Sequence, residues 1–504
     1  MTKNRTSSRR GPKKPRTGGV GRRAQPSPRR GWLLLGGIIC AVIIVVTVAA
    51  SLWRTDRASR LSEQPRRTEH PANASGRDEP AVPNEPGSSS HQPISQPAES
   101  ALTPEEQDRA LRQAQLEVAR RLAAAFPDDS NAAFLMGMVC LEQGDVVAAA
   151  EHLERSLELR PGRADAYDHL GRTALLKGEY EKAVALFRKA LEDDPKIPGA
   201  HFRMARALVL SGKQKEAISA LEKDLEISPT AVETYSLRGE AYLQLREYSK
   251  AKESYEAAIQ IKPDHTKAYY GLATACARLG LKDRSREYRQ KFKELEAEDR
   301  KAGRHWRQVL DPLRGTRVSV AHTHTDVGRV YHAHGHVDRA KQLWQEAATL
   351  DPNNIVCRFE LAALYMREQR PLDALRLHEE LTRIDPENGV SYFLIGTISA
   401  QLNRFEEAER AYKKVIEVAP ERSDGYRALA QLYMQVNRNG PEAKKLASKA
   451  VELEPSAANY FVLAGACDKN GDRVGALSAL EQAVKLDPRN AQYQRMYQLI
   501  QRRR

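Results

Sequence analysis

Cysteine is scarce in this 504-residue chain, and aromatic residues make up only 6% of it. The five cysteines, Cys40, Cys140, Cys276, Cys357 and Cys467, form no CxxC pair and no finger-like spacing. Cys40 lies in an apolar run, and the other four are too scattered to reach the ~7 Å Cα separation a disulfide requires. They read as small buried hydrophobes. Also missing are a glycine-rich phosphate loop, an HExxH sequence and a nucleophile elbow, so no complete catalytic site is legible. Acidic residues are absent from 1–30, which hold 11 Lys/Arg. The formal net charge of +14 therefore divides into +11 for 1–30, −1 for 54–102 and +4 for 103–504. The long downstream part is nearly neutral, which removes the main argument for nucleic-acid binding by it.

Long apolar runs are absent too, with one exception. Residues 31–53, GWLLLGGIICAVIIVVTVAASLW, carry no charge. At 1.5 Å per residue they span about 34 Å, enough for a ~30 Å hydrocarbon core. Trp32 and Trp53 stand at the two ends, where indole rings favour the interface. The basic stretch before the run outweighs the diluted arginines after it, so the positive-inside rule leaves 1–30 as a disordered cytoplasmic tail and puts the rest on the far, non-cytoplasmic side. The expected location is a bacterial cytoplasmic membrane, with a single-pass anchor. A cleaved signal peptide and soluble export is the alternative, since Val48-Ala49-Ala50 resembles a small-residue cleavage site. Residues 54–102 hold seven prolines and a Gly-Ser-Ser-Ser run with almost no large apolar side chains, the composition of a flexible tether.

The rest of the chain is periodic. Prolines 127, 161, 195, 229 and 263 recur every 34 residues, and 352, 386, 420, 455 and 488 follow at nearly the same step. Twelve residues before each of nine of them stands an alanine: Ala149, Ala183, Ala217, Ala251, Ala340, Ala374, Ala408, Ala443 and Ala476. Eight before is usually a larger apolar group such as Phe187, Tyr255, Trp344 or Tyr412, and twenty-four before is always Gly or Ala. Small residues at that spacing let two helices cross closely while the large group fills the gap beside them. Gly144, Gly178, Gly212, Gly280, Gly335 and Gly471 mark the turn inside a pair. A helix pair of this kind cannot bury its apolar face alone, so neighbours must stack.

Leu170-Gly171, Ala183, Phe187, Ala190 and Pro195 show the pattern best, and it resembles the tetratricopeptide repeat. The resemblance covers about 130–490. It implies an all-α superhelix of about ten helix-pair units, which the interrupted period divides into two blocks, and the uncharged run 31–53 places a single N-terminal transmembrane helix before it. The expected layout is an N-terminal capping helix over 103–129, a first block over 130–299, a junction or insertion over 300–320, a second block over 321–490 and a C-terminal capping helix over 491–504. The second helix of the fifth unit is degenerate, with Ser285 and Arg289 where alanine and an aromatic belong. The junction reads equally as a hinge or as a lengthened helix.

The family resemblance implies that the first helix of each pair lines a concave groove that binds proteins or peptides. Position five of the unit supplies Phe134, Phe202, Tyr270, Phe359, Phe393 and Phe461 to that face. Position nine supplies Arg172, Arg206 and Arg329, and position thirteen adds Arg278 and Arg367. Apolar anchors with a few guanidiniums suit a peptide carrying some acid. The alternative packs these aromatics only against adjacent helices. No unit has Asn at position nine, which argues against the family's chaperone-binding carboxylate clamp. Five histidines, His322, His324, His332, His334 and His336, crowd into 15 residues. Histidine is a common metal ligand. A second expectation is therefore a metal- or cofactor-handling assembly factor, as in cytochrome maturation; without it, no cofactor is expected. The first expectation remains a membrane-anchored, non-enzymatic scaffold.

Overall fold

The computed structural model describes residues 102–309 and 311–502, with no side-chain account of 302–309. The tail, the expected anchor at 31–53 and all but the last residue of the tether lie outside the described residues. Within them no helix is long and apolar enough to cross a membrane. The described residues form 22 helices and no strand. An all-α superhelix of stacked helix pairs is what the period required.

Local chemistry starts the array where the sequence placed it. Helix α1 (Pro104–Ala125) opens on a capping box: the Glu106 amide donates to Thr103 Oγ1 at 3.3 Å, and the Thr103 amide donates to Glu106 Oε2 at 2.8 Å. Five pairs follow. They are α2 (Ser130–Glu142) with α3 (Val146–Leu159), α4 (Ala164–Leu176) with α5 (Tyr180–Asp193), α6 (Ala200–Leu210) with α7 (Gln214–Ile227), α8 (Val232–Gln244) with α9 (Tyr248–Ile261), and α10 (Thr266–Arg278) with α11 (Lys282–Val309). Five more follow the junction. They are α12 (Arg314–Ala333) with α13 (Val337–Leu350), α14 (Ile355–Arg367) with α15 (Pro371–Ile384), α16 (Gly389–Gln401) with α17 (Phe405–Val418), α18 (Ser423–Gln435) with α19 (Gly440–Leu453), and α20 (Ala457–Lys469) with α21 (Arg473–Leu486). Helix α22 (Ala491–Arg502) ends the described chain.

All nine alanines of the ladder are 0% exposed. The reason for Gly twenty-four residues before the proline is visible at Gly328, where an added Cβ would stand 2.5 Å from Trp344 Nε1. Gly396 meets the Tyr412 ring at the same 2.5 Å. The helices of a pair are therefore as close as the aromatic between them allows. The turn inside each pair needs a left-handed residue. Glycine supplies it at six turns, and Arg246, Gln369, Asn403 and Asn437 adopt φ between 53° and 63° where glycine is missing.

The junction departs from the expected layout in two ways. The 299/300 boundary is not a break: α11 runs on for 28 residues, about 42 Å of helix. Its Ser285 replaces the ladder alanine without loss, because the hydroxyl donates to the Ala273 carbonyl at 2.8 Å. The junction is thus a lengthened helix, and the second block starts at Arg314 rather than 321.

The second departure is topological. Helix α12 packs against α1 and α2 rather than on α11. Residues 103–129 were expected to form an end cap, but the outer face of α1 is covered by the second block. Leu122, Ala132, Val327, Val330 and Leu343 share one core there, edged by Val118, Phe126, Leu135 and Tyr331. Beside it the buried Gln115 amide donates to Thr323 Oγ1 at 2.9 Å, Ser319 Oγ at 3.1 Å and Glu142 Oε2 at 2.9 Å. Asp108 accepts from Thr316 at one end of the seam, and Asp129 pairs with His334 at 2.9 Å at the other. Only four residues separate Val309 from Arg314, a reach of about 17 Å. Helix α11 is therefore the strut that carries the chain from the fifth unit back to α1.

Leu122 is 0% exposed and touches both blocks. Leu122→Ala should cost about 2–5 kcal/mol and lower amide-exchange protection in α2 and α12 together. Loss confined to α2 would mean that α1 belongs to the first block alone.

Candidate functional site

In the first block the first helices of consecutive pairs form one face. Helices α2, α4, α6, α8 and α10 touch in succession without an intervening second helix, as do α18 and α20. The position-five, -nine and -thirteen residues lie on these first helices, and the structure gives each a distinct setting.

The aromatics lean on neighbours but stay partly open. Phe134 is half-buried beneath the Arg163 guanidinium at 4.0 Å and meets His169 edge-on at 5.5 Å. Phe202 packs against the main core of the first block. Phe359 stands on His378 at 5.7 Å, Phe393 on Tyr412 at 5.9 Å and Phe461 on Tyr493 of α22 at 4.8 Å. Tyr270 contacts Phe292 yet remains 62% exposed.

The arginines divide. Arg329 is held by Asp326 at 3.1 Å and Glu360 at 2.7 Å, so its charge is spent inside the fold. Arg367 donates to His332 Nε2 at 3.1 Å. Arg172 donates to His169 Nδ1 at 3.0 Å. Burial first, and the Arg172 cation second, push His169 down to about 4, which keeps that nitrogen an acceptor. Arg206 and Arg278 are exposed and have no partner among the described residues.

Three residues of this face escaped the sequence reading. Asp168, at position five of the second unit, is buried and takes Arg203 Nε and Nη2 on its Oδ1 at 2.9 and 2.8 Å; burial raises its carboxyl. Its signal was the register, since the aromatic position holds an acid there. Leu176 and Leu210 are 67% and 50% exposed, and lie one turn after Arg172 and Arg206. An Arg-x3-Leu at the same register of two consecutive units was the available clue.

The five clustered histidines are not brought together. His322 is exposed, while His324 is buried with neither ring nitrogen hydrogen-bonded and Glu346 Oε2 at 4.0 Å. Burial lowers its basicity. His332 serves Arg367, His334 stacks on Phe126 at 4.1 Å, and His336 stands at the N-cap position of α13, its ring beside Phe126 and Tyr331 and making no capping bond. Helical geometry is the cause, because 322 and 324 point about 200° apart. Among the described residues no three His, Cys, Asp or Glu side chains are grouped to hold a metal. Cys140, Cys276, Cys357 and Cys467 are buried free thiols, each made less acidic by burial, Cys357 to about 11.

Helix pairs stacked at a 34-residue period, with an inner face made of first helices, define a helical-repeat solenoid. Models of the tetratricopeptide repeat match residues 129–196, 174–241, 232–265 and 365–432 of this chain. Among solved structures the chain is similar to MamA, at 26% identity over 33% of this chain and 97% of that one, with a TM-score of 0.32. It is also similar to YrrB, whose structure is described as a TPR protein with an unusual peptide-binding site, at 18% identity, 36% and 92% coverage and a TM-score of 0.33. Yeast Tom70 aligns over 74% of this chain and 95% of its own, at 18% identity and a TM-score of 0.30. No curated protein is significantly similar in sequence.

His378, beneath Phe359, has its charged form suppressed by burial alone, to about 4, and its Nδ1 has no partner. The unfolded chain takes up that proton near pH 6.5. Stability should therefore be full above about pH 6.5 and fall, by on the order of 1–3 kcal/mol, toward pH 4. His378→Leu should flatten this stretch of the denaturation-versus-pH curve, and an unchanged slope would place the acid sensitivity elsewhere.

Proposed function

We propose that this chain is a membrane-anchored scaffold, which binds proteins or peptides along the inner face of its repeats and organises a complex on the non-cytoplasmic side of the membrane. The observation that carries the reading is the inner face itself: half-buried aromatics, exposed leucines and uncompensated guanidiniums on helices that touch in sequence. Tetratricopeptide repeats supply the protein-binding class. The uncharged stretch 31–53 and the +11 stretch before it support the address. No catalytic role is proposed.

Photo-crosslinking in intact cells tests both parts. A crosslinker at Tyr270 or Phe202 on the inner face should yield discrete adducts, whereas one at the exposed Lys215 of α7, on a second helix, should not. Equal yields from both faces would remove the groove as the binding surface. Externally added protease should digest 54–504 and spare 1–30. Protection of the repeats would move them to the other side, and a mature chain starting near residue 51 would replace the anchor by soluble export.

A further inference from the structure

Helix α11 ends the first block, and no further pair stacks on it because α12 returns to α1. Its rotation about its own axis is fixed by α10. The Ser285 hydroxyl donates to the Ala273 carbonyl at 2.8 Å, Tyr288 and Phe292 meet Tyr269 and Tyr270, and Thr266 donates to Asp299 Oδ2 at 2.7 Å. The remaining charges are sorted by face. At 3.6 residues per turn, Lys282, Arg286, Arg289, Lys293 and Arg300 fall within an arc of about 60°, while Asp283, Glu287, Glu294 and Glu298 fall within another on a different side. All nine side chains are exposed. Like charges three and four residues apart repel, so this basic stripe weakens the helix rather than supporting it. Internal acids relieve it little. Arg300 holds Glu296 at 3.4 Å, and Arg286 reaches Asp283 at 3.5 Å with both side chains nearly bare to water. Lys282, Arg289 and Lys293 have no carboxylate within 4.0 Å among the described residues.

The place of α11 in the fold selects the anion. Helices α1 and α12 run parallel, with Asp108 on Thr316, Gln115 on Ser319 and Thr323, and Phe126 on Tyr331 and His334. The start of α12, where the strut arrives, therefore lies at the start of α1. That is also where the chain comes in from residues 54–102 and the uncharged run 31–53. The far end of α11 is thus held beside the entry of the tether. A second attachment made by an already anchored chain is intramolecular and needs little affinity of its own. Cations spread over about 27 Å of helix match an array of lipid phosphates better than a single anion.

We propose that α11 docks by this stripe on the anionic phospholipid headgroups of the membrane that anchors the chain, and so orients the repeats on that surface. The inference rests on the membrane-anchored reading and adds a second, electrostatic contact to it. Such cations act within a Debye length, about 8 Å at physiological salt, so the contact is close and weakens as salt rises. No apolar side chain of the described part of α11 enters the bilayer, because Tyr288, Phe292 and Leu295 are spent within the fold.

The test uses the full-length protein reconstituted in phosphatidylcholine vesicles with or without phosphatidylglycerol, a headgroup spin-labelled lipid serving as quencher. A fluorescent amino acid at the exposed Ala297, beside the stripe, should be quenched several-fold more than one at Glu287 on the acidic face, and only where phosphatidylglycerol is present. Salt at about 1 M, where the Debye length is about 3 Å, should remove the difference. R286Q with R289Q and K293Q should remove it too, whereas R286K with R289K and K293R should keep it. All three positions are exposed, so both variants should melt with the wild type, and the salt series on the wild type reads the same charge dependence without any substitution. Equal quenching at Ala297 and Glu287, or quenching unchanged by phosphatidylglycerol, overturns the proposal. Capture of soluble inorganic polyphosphate without lipid-dependent quenching gives the stripe a soluble anion instead and overturns it as well. An alkaline wash separates this contact from the anchor. A chain retained in the vesicles but unquenched at Ala297 keeps its anchor and loses the contact; a chain washed out loses the anchor, and the quenching before the wash still decides the contact.

Discussion

The arrangement turns on one helix. In an ordinary solenoid each unit touches only its neighbours in sequence, and a terminal helix presents a polar outer face. Helix α1 does not, because it is buried on both sides, by α2 of the first block and α12 of the second. Leu122 sits in a core drawn from residues some two hundred positions apart, and the Gln115 amide closes polar contacts over sequence separations of 204 and 208. The stacking order is therefore not the chain order. The first block runs away from α1, and the second starts from α1 again.

A buried glutamine is costly unless its groups are satisfied. Here Gln115 is 2% exposed, and its amide has three acceptors within hydrogen-bond distance, while Ser319 also donates to Glu142 at 2.7 Å. A polar cluster flanked by aliphatic packing fixes one register between α1 and α12, since sliding by a turn would strand it. Asp108–Thr316 and Asp129–His334 hold the two ends of the same seam. Two of the clustered histidines, His334 and His336, thus meet α1 at this join, where both stand against Phe126.

The repeat was legible because close packing leaves a regular trace. Ala183, Gly171 and Phe187 stand for a crossing in which each residue's size is set by the other two, and only the 34-residue period brings such triples together. The turn glycines were legible for a different reason, the left-handed backbone; Arg246 and Gln369 show that the conformation persists where the clue does not. The join of the blocks was not legible. Gln115, Thr323 and Leu122 are ordinary helix residues, and nothing in their local spacing says which distant helix they face. The groove was legible in register but not in charge state. A net charge of +4 over 103–504 averages away the difference between Arg329, neutralised by two carboxylates, and Arg206, which has none.

Closing contacts over two hundred residues would ordinarily carry a loop-entropy cost that grows as (3/2)RT ln n. That cost applies to a flexible chain, and the segment between α2 and α12 is anything but flexible once its pairs have stacked. Each pair forms from local contacts, so the first block can assemble before the join is made. The route to the join then depends on α11. A 28-residue helix with Tyr288 and Leu295 packed near its root and Asp299 bonded to Thr266 at 2.7 Å has its direction set by α10. The rigid strut delivers α12 to within about 17 Å of its seat on α1. The degenerate sequence of that helix, poor in the small residues that would invite another pair to stack on it, suits a member whose task is to span and not to propagate.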